Sequence, residues 1–326
     1  MISRKALLVA LFLLAAACKR PADDRIEEIA VGDHVCARYT SGVVECWGYS
    51  NDYGQLGRGG ADERGPVVVR GVSGATAIAA ESSTTCAIVG GGEVECWGLV
   101  WGHEGRRRQR IPGVRGAVRL IVGAFRGCAI AADGEATCWG PGSKDDPPLN
   151  GWPPAKDERF RGARSGVGMS DIFCATLPDR LHCSIREYFQ FDLPPAEAVA
   201  ITGATARVCA LRKGVMECGD VGVGHKLSEI LSRKLGFVAL SGAGDEICGI
   251  LPDGGVRCTE VASMQTQEHF GPVSGLTAPL QLAAGSQTCA LTREHKVVCW
   301  EWDWKHNDER LAQPSPPFPT PTLHHP

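Results

Sequence analysis

The sequence predicts an all-β fold, a seven-bladed β-propeller of repeats about 42 residues long with one disulfide inside each blade. Three observations carry this. Seven cysteine pairs recur, five as C-x9-C and two as C-x8-C. Their first cysteines follow one another at 50, 42, 46, 35, 39 and 41 residues, and a short apolar stretch ending in small residues precedes every pair. Solenoids repeat more evenly, whereas a variable period near 40 with several strands per unit marks propeller blades. Composition agrees: 41 Gly and 20 Pro in 326 residues interrupt the chain too often for long helices, and 44% hydrophobic residues can fill a core.

The first element is an address. Ser3-Arg4-Lys5 precedes an apolar stretch from Ala6 to Ala17, too short to span a bilayer and shaped as a secretory signal. Leu14-Ala15-Ala16-Ala17-Cys18 resembles the lipobox of bacterial lipoproteins, which implies that residues 1–17 are removed and Cys18 is acylated. Residues 18–25 then form the lipidated cysteine and a short tether. Two or three acyl chains are enough for stable anchoring. Lys19 stands where an Asp would retain a lipoprotein at the inner membrane, so the expected location is the cell envelope, at the outer membrane. Loss of Arg4 and Lys5 takes the formal charge from −3 to −5, which argues against a nucleic-acid partner. No later run of about 18 apolar residues occurs.

Each cysteine pair then reads as a hairpin. Ser41-Gly42, Gly91-Gly92, Asp133-Gly134 and Asp253-Gly254 place Gly at the third position of three-residue loops 40–42, 90–92, 132–134 and 252–254, where a left-handed residue is required. With such a loop, facing residues have an even sum, as do Cys36 and Cys46, Cys86 and Cys96, Cys128 and Cys138, Cys248 and Cys258, and Cys289 and Cys299. Cys174 with Cys183 and Cys209 with Cys218 have odd sums and need two-residue turns, which Pro178-Asp179 and Lys213-Gly214 supply. Every cysteine therefore faces its mate. In the seventh copy His295 takes the Gly position, so strain or a different turn is expected. Metal sites prefer tighter C-x2-4-C spacing, and neither a metal nor another cofactor is expected.

A small residue follows each first cysteine (Ala37, Ala87, Ala129, Ala175, Ala210, Gly249, Ala290), as expected where neighbouring sheets approach closely. Upstream stretches such as Ile29-Ala30-Val31-Gly32 and Leu282-Ala283-Ala284-Gly285 add a strand, giving at least three per unit, and Pro66-Val67-Val68-Val69 suggests a fourth in the first. The expected blades are 26–74, 75–116, 117–162, 163–197, 198–236, 237–279 and 280–312. The Pro-rich tail 313–326 cannot supply a central strand, so it or residues 305–312 must complete the ring.

Copy one contains Gly32, His34, Cys36-Ala37, Cys46-Trp47-Gly48 and Gly54-Gln55-Leu56-Gly57. This resembles the repeat of the regulator of chromosome condensation family, in its exported, cysteine-paired bacterial branch, over roughly nine-tenths of the chain. The resemblance implies a seven-bladed propeller. Trp recurs after the second cysteine at 97, 139 and 300, whereas copies four to six have Ser184, Gly219 and Thr259 there. The family's best-known member acts on a small GTPase, a partner not expected for an exported chain, since a repeat specifies a scaffold and no chemistry.

The sequence shows no catalytic or metal-binding motif among its nine histidines, and His34 reads as structural. Asp145-Asp146 reads as a solvated loop. Two stretches are candidates for binding. Trp101 with Arg106, Arg107, Arg108 and Arg110 concentrates the residue types enriched in hot spots. Trp300, Trp302 and Trp304 share one strand face, as blade packing or as an aromatic platform. The expected function is an interaction module for an unidentified protein or envelope polymer, without catalysis. The alternatives are an envelope enzyme with an axial site, an inhibitor of an enzyme, and a structural surface protein.

Overall fold

The computed structural model describes residues 23–48, 50–58, 65–100, 108–124, 126–140, 154–169, 172–185, 189–202, 207–221, 227–243, 246–260, 270–300, 310–311 and 313–315. Cys18, Trp101, Arg106, Arg107, Asp145, Asp146, Trp302 and Trp304 lie outside them.

Seven sheets form, antiparallel except for one edge strand of blade 6, from strands consecutive along the chain in blades 1 to 5 and with one strand exchanged in order between blades 6 and 7. Blade 1 is β1 (Ile26–Val31), β2 (His34–Tyr39), β3 (Val44–Gly48) and β4 (Val67–Val68). Blade 2 is β5 (Ala77–Glu81), β6 (Thr84–Val89), β7 (Glu93–Gly98) and β8 (Gln109–Arg110). Blade 3 is β9 (Ala117–Val122), β10 (Gly127–Ala131), β11 (Ala136–Trp139) and β12 (Ala155–Lys156). Blade 4 is β13 (Ser165–Met169), β14 (Ile172–Thr176), β15 (Leu181–Ile185) and β16 (Phe189–Leu193). Blade 5 is β17 (Ala198–Thr202), β18 (Arg207–Arg212), β19 (Val215–Val221) and β20 (Leu227–Lys234). Blade 6 is β21 (Ala239–Ala243), β22 (Glu246–Ile250), β23 (Val256–Glu260) and β24 (Gly271–Ser274), with β28 (Arg310–Leu311) added in parallel to its edge. Blade 7 is β25 (Gln281–Ala284), β26 (Thr288–Leu291), β27 (Val297–Trp300) and β29 (Gln313–Ser315). The fourth strand suggested for the first copy thus exists in all seven. Pro314 sits on an outer edge strand, where its missing N–H is tolerated.

All seven disulfides join facing residues within one hairpin, with Cα atoms 4.0 to 4.1 Å apart. The turns dictate this. Tyr39 and Val43 close the first hairpin with a hydrogen bond, so counting back by alternation puts Cys36 opposite Cys46 at a non-hydrogen-bonded pair. Such pairs bring side chains closest. The two-residue turns at 178–179 and 213–214 lead to the same pair type from one residue nearer. Gly42, Gly92, Gly134 and Gly254 take the positive φ expected of them. His295 adopts the same left-handed conformation, φ 58°, so the turn is kept, and its Nδ1 lies 2.7 Å from the Ile26 carbonyl of blade 1.

The disulfide of one blade faces the next blade. Cys36–Cys46 packs with Ala87 and Trp97, Cys86–Cys96 with Ala129 and Trp139, and Cys248–Cys258 with Ala290 and Trp300. A bridged pair fills the middle of the interface, so the facing residue must be small. Gly249, the one departure from Ala, has Phe237 in its place: a Cβ there would lie 2.4 Å from the ring. In blades 4 to 6, which lack the Trp, Phe173, Val208 and Ile247 pack toward the disulfides of blades 3, 4 and 5.

The ring closes by this same contact, because Trp47 and Ala37 of blade 1 pack on Cys289–Cys299 of blade 7. Gln281 adds a two-point clasp: its Oε1 accepts from Ile29 N at 2.9 Å and its Nε2 donates to Ile29 O at 2.8 Å. The tail completes blade 7 by β29, past residue 312, and among the described residues it pairs with no strand of blade 1.

Candidate functional site

Antiparallel order gives the propeller two different faces. The hairpin turns and the connections to the next blade emerge on one, the hairpin face. There the turn carbonyls of Gly42, Gly91, Gly134, Gly214 and Gly254 accept from the N–H of Ala75, Gly116, Gly162, Gly236 and Ala278 at 2.8 to 3.0 Å. Five blades thus share one main-chain clasp. On the opposite, variable face, the link from third to fourth strand ranges from 186–188 in blade 4 to 49–66 in blade 1.

The inner strands β1, β5, β9, β13, β17, β21 and β25 surround an axial cavity of about 490 Å³, lined largely by aliphatic residues such as Ile29, Ile78, Leu120 and Val199. The small residues ending these strands permit the approach: a Cβ on Gly168 would lie 2.3 Å from the Cα of Gly123. Glu81 lines the cavity at its variable-face end. Burial pushes its carboxyl up to about 8, against the bond that Ser82 Oγ donates to its Oε1, with the nearby charge of Asp33 adding to the rise. At neutral pH this acid is mostly protonated and can donate a hydrogen bond into the channel. The sequence reading missed Glu81. Its signal is that the equivalent residues are Gly32, Gly123, Met169, Thr202, Ala243 and Gly285, none of them charged.

On the variable face, the Gly54-Gln55-Leu56-Gly57 segment folds back onto the second blade. Asn51 Oδ1 accepts from Leu56 N at 3.0 Å, Leu56 is buried, and the Gln55 carbonyl accepts from Trp97 Nε1 at 2.9 Å. Tyr53 and Leu99 stand exposed beside it, 49% and 42%.

No family model and no curated protein matches the sequence. The structure is similar to yeast RCC1 (Prp20) in its complex with Kap60, at 15% identity and TM-score 0.53, covering 89% of this chain and 74% of that one. It is similar to the crystal structure of Prp20p from Saccharomyces cerevisiae, at 16% identity and TM-score 0.53, over 89% and 76% of the two chains. Human WBSCR16 matches at 15% identity and TM-score 0.55, over 70% and 72%. The fold is an RCC1-like seven-bladed propeller.

Within this RCC1-like propeller, the residues singled out by sequence separate. His34 is buried between blades 1 and 2, where its Nε2 meets Thr85 Oγ1 and burial lowers its pKa to about 4. Glu246 holds the equivalent position in blade 6 and accepts from Thr288 Oγ1 of blade 7 at 2.7 Å. Both residues are blade couplers. Glu246 also lies near Cys248 and Cys258, but that pair is oxidised and offers no thiolate. Arg108 and Arg110 are not a free basic patch: Arg108 pairs with Glu95 at 3.0 Å, and Arg110 with Glu93 at 2.7 Å and Glu95 at 3.2 Å. Of the four arginines, Arg108 and Arg110 find their acids on β7. Trp300 is buried packing between blades 6 and 7.

Proposed function

We propose that this chain is a lipid-anchored cell-envelope propeller that binds a protein or envelope polymer through its variable face. The observation that carries this is the contrast between faces: five hairpin-face connections share one main-chain clasp, while those opposite differ in length and residue type. Yeast RCC1 (Prp20) was determined bound to a protein, Kap60, which supports using such a scaffold for protein binding. A small GTPase is not the expected partner of an exported chain. The blade 2 connection is the proposed contact, with Trp101, Arg106 and Arg107 meeting an acidic protein or anionic polymer, because Arg108 and Arg110 are already matched within the blade.

Affinity capture from the native envelope with the full chain should retain one partner, which Trp101→Ala and an Arg106→Ala, Arg107→Ala double variant each release. Retention by both variants refutes the blade 2 contact; capture of nothing counts against the binding reading. Fatty-acid probe labelling should tag the wild type and miss Cys18→Ser. An axial enzyme site is the second reading, favoured by Glu81 in the channel. Turnover in a glycan or ester screen, abolished by Glu81→Gln, decides for it.

A further inference from the structure

We infer that the chain's own lipid bilayer lies against the hairpin face, so that the variable face points away from the membrane. This rests on the acylation of Cys18 proposed above. The tether's end is fixed in place. Asp24 Oδ1 accepts from Thr40 Oγ1 at 2.8 Å and from Ser41 N at 2.9 Å, and its Oδ2 accepts from Ser41 Oγ at 2.8 Å. Thr40 N donates to the Arg25 carbonyl at 2.9 Å. Thr40 and Ser41 belong to the blade 1 hairpin turn, so the chain enters the ring from the hairpin face. Five residues separate Cys18 from Asp24, a span of six residue steps. At about 3.3 to 3.6 Å per residue those steps reach at most about 22 Å. A propeller strand of five or six residues rises about 17 to 20 Å, and a path to the other face must also run outward past three further strands about 4.8 Å apart, which together exceed the reach of the tether.

A second, independent observation is the rim of the axial channel on the hairpin face. Val118, Val238 and Leu280 occupy equivalent positions at the start of inner strands, and they are 49%, 58% and 53% exposed. Three of the seven exposed large hydrophobic residues thus collect around one opening. Arg119 and Arg164 are exposed beside Val118, with Glu27 and Glu197 on the same rim. Aliphatic tips with adjacent guanidinium groups suit the headgroup boundary of a bilayer containing anionic lipid.

The test uses the full acylated chain, extracted in detergent and reconstituted into phosphatidylethanolamine–phosphatidylglycerol vesicles. A fluorophore is attached through an azide-bearing residue at position 238 or at position 53, and spin-labelled lipids quench at short range. The expected result is co-flotation with at least twofold quenching at 238 and none at 53. Flotation with equal or stronger quenching at 53 overturns the orientation while leaving the anchor intact. Failure to float overturns the anchor, and the orientation falls with it.

Discussion

Blades 1, 2, 3 and 7 and blades 4, 5 and 6 solve one packing problem in opposite ways. At the strand pair just beyond the disulfide, the first group sets Trp47, Trp97, Trp139 and Trp300 against Val35, Thr85, Gly127 and Thr288. The second group sets Ser184, Gly219 and Thr259 against Phe173, Val208 and Ile247. The large member changes strand, and the pair still covers the preceding blade's disulfide. The difference teaches that the interface needs one bulky apolar member in the pair and leaves free which strand supplies it. A Trp after the second cysteine is therefore one solution among two, and its loss does not mark a damaged blade.

Four experiments break or sharpen that comparison. The largest effect is expected from Trp97→Ala, which empties a buried site and removes the bond to Gln55 O; it should cost about 3 to 5 kcal/mol in denaturant titration, and Phe173→Ala should fall in the same range. A cost below about 1 kcal/mol for Phe173→Ala would show that the two groups are not equivalent. Next, replacing Cys209 and Cys218 by alanine removes a staple that the chain-entropy model values at about 2.5 to 3 kcal/mol, an upper figure for an already restricted hairpin. Non-reducing peptide mapping should meanwhile find each bridge inside its own blade.

Gly127→Val is expected to cost about 1 to 3 kcal/mol, because a Cβ there would lie 2.3 Å from the Trp139 ring. A Gly127→Phe, Trp139→Ser double variant copies blade 4 into blade 3, and should be at least about 1 kcal/mol less destabilised than the sum of its single variants. Strict additivity would refute the exchange of the bulky member between strands. The smallest effects are on pH dependence. Glu81 has a folded pKa near 8, above its ordinary 4.5, so its contribution is complete below pH 4.5 and is lost as pH rises through 8. Glu81→Gln should therefore flatten the alkaline decline in melting temperature. His34 works in reverse: its pKa of about 4 lies below 6.5, so stability falls as pH drops from 6.5 to 4, and His34→Gln should remove that slope. Unchanged profiles in both variants would discard these assignments.

The blades were legible because cysteine spacing, loop length and facing parity are linked by hairpin geometry, so the sequence alone identifies Cys36 opposite Cys46 and Cys174 opposite Cys183. The small residue after each first cysteine carried the close approach of the sheets. The outer strands were not legible: Gln109–Arg110 and Ala155–Lys156 are too short and polar to show alternation. The exchange of Trp for Phe173, Val208 and Ile247 is written in the column before the first cysteine, but becomes visible only once register tells which residues share a pair. At the candidate site, a run of arginines reads as surplus charge until Glu93 and Glu95 are seen on the adjoining strand. Glu81 was hidden at the end of an inner strand, where the equivalent residues of the other six blades are uncharged.

The seam between the last and first blades has one more consequence. Blades 1 to 5 are each drawn from an uninterrupted stretch of chain, β28 is lent only between the neighbouring blades 7 and 6, and blade 7 meets blade 1 through the disulfide-to-Trp47 contact used elsewhere. No strand is lent across the junction. The starting point of the polypeptide is then arbitrary for the ring's architecture, and a circular permutant opened at the exposed connection between blades 4 and 5, near Pro194-Pro195, would cut no sheet. Its terminus would still emerge on the hairpin side, so a lipid anchor could be transplanted around the circumference, and blades could be gained or lost whole, without turning the molecule over.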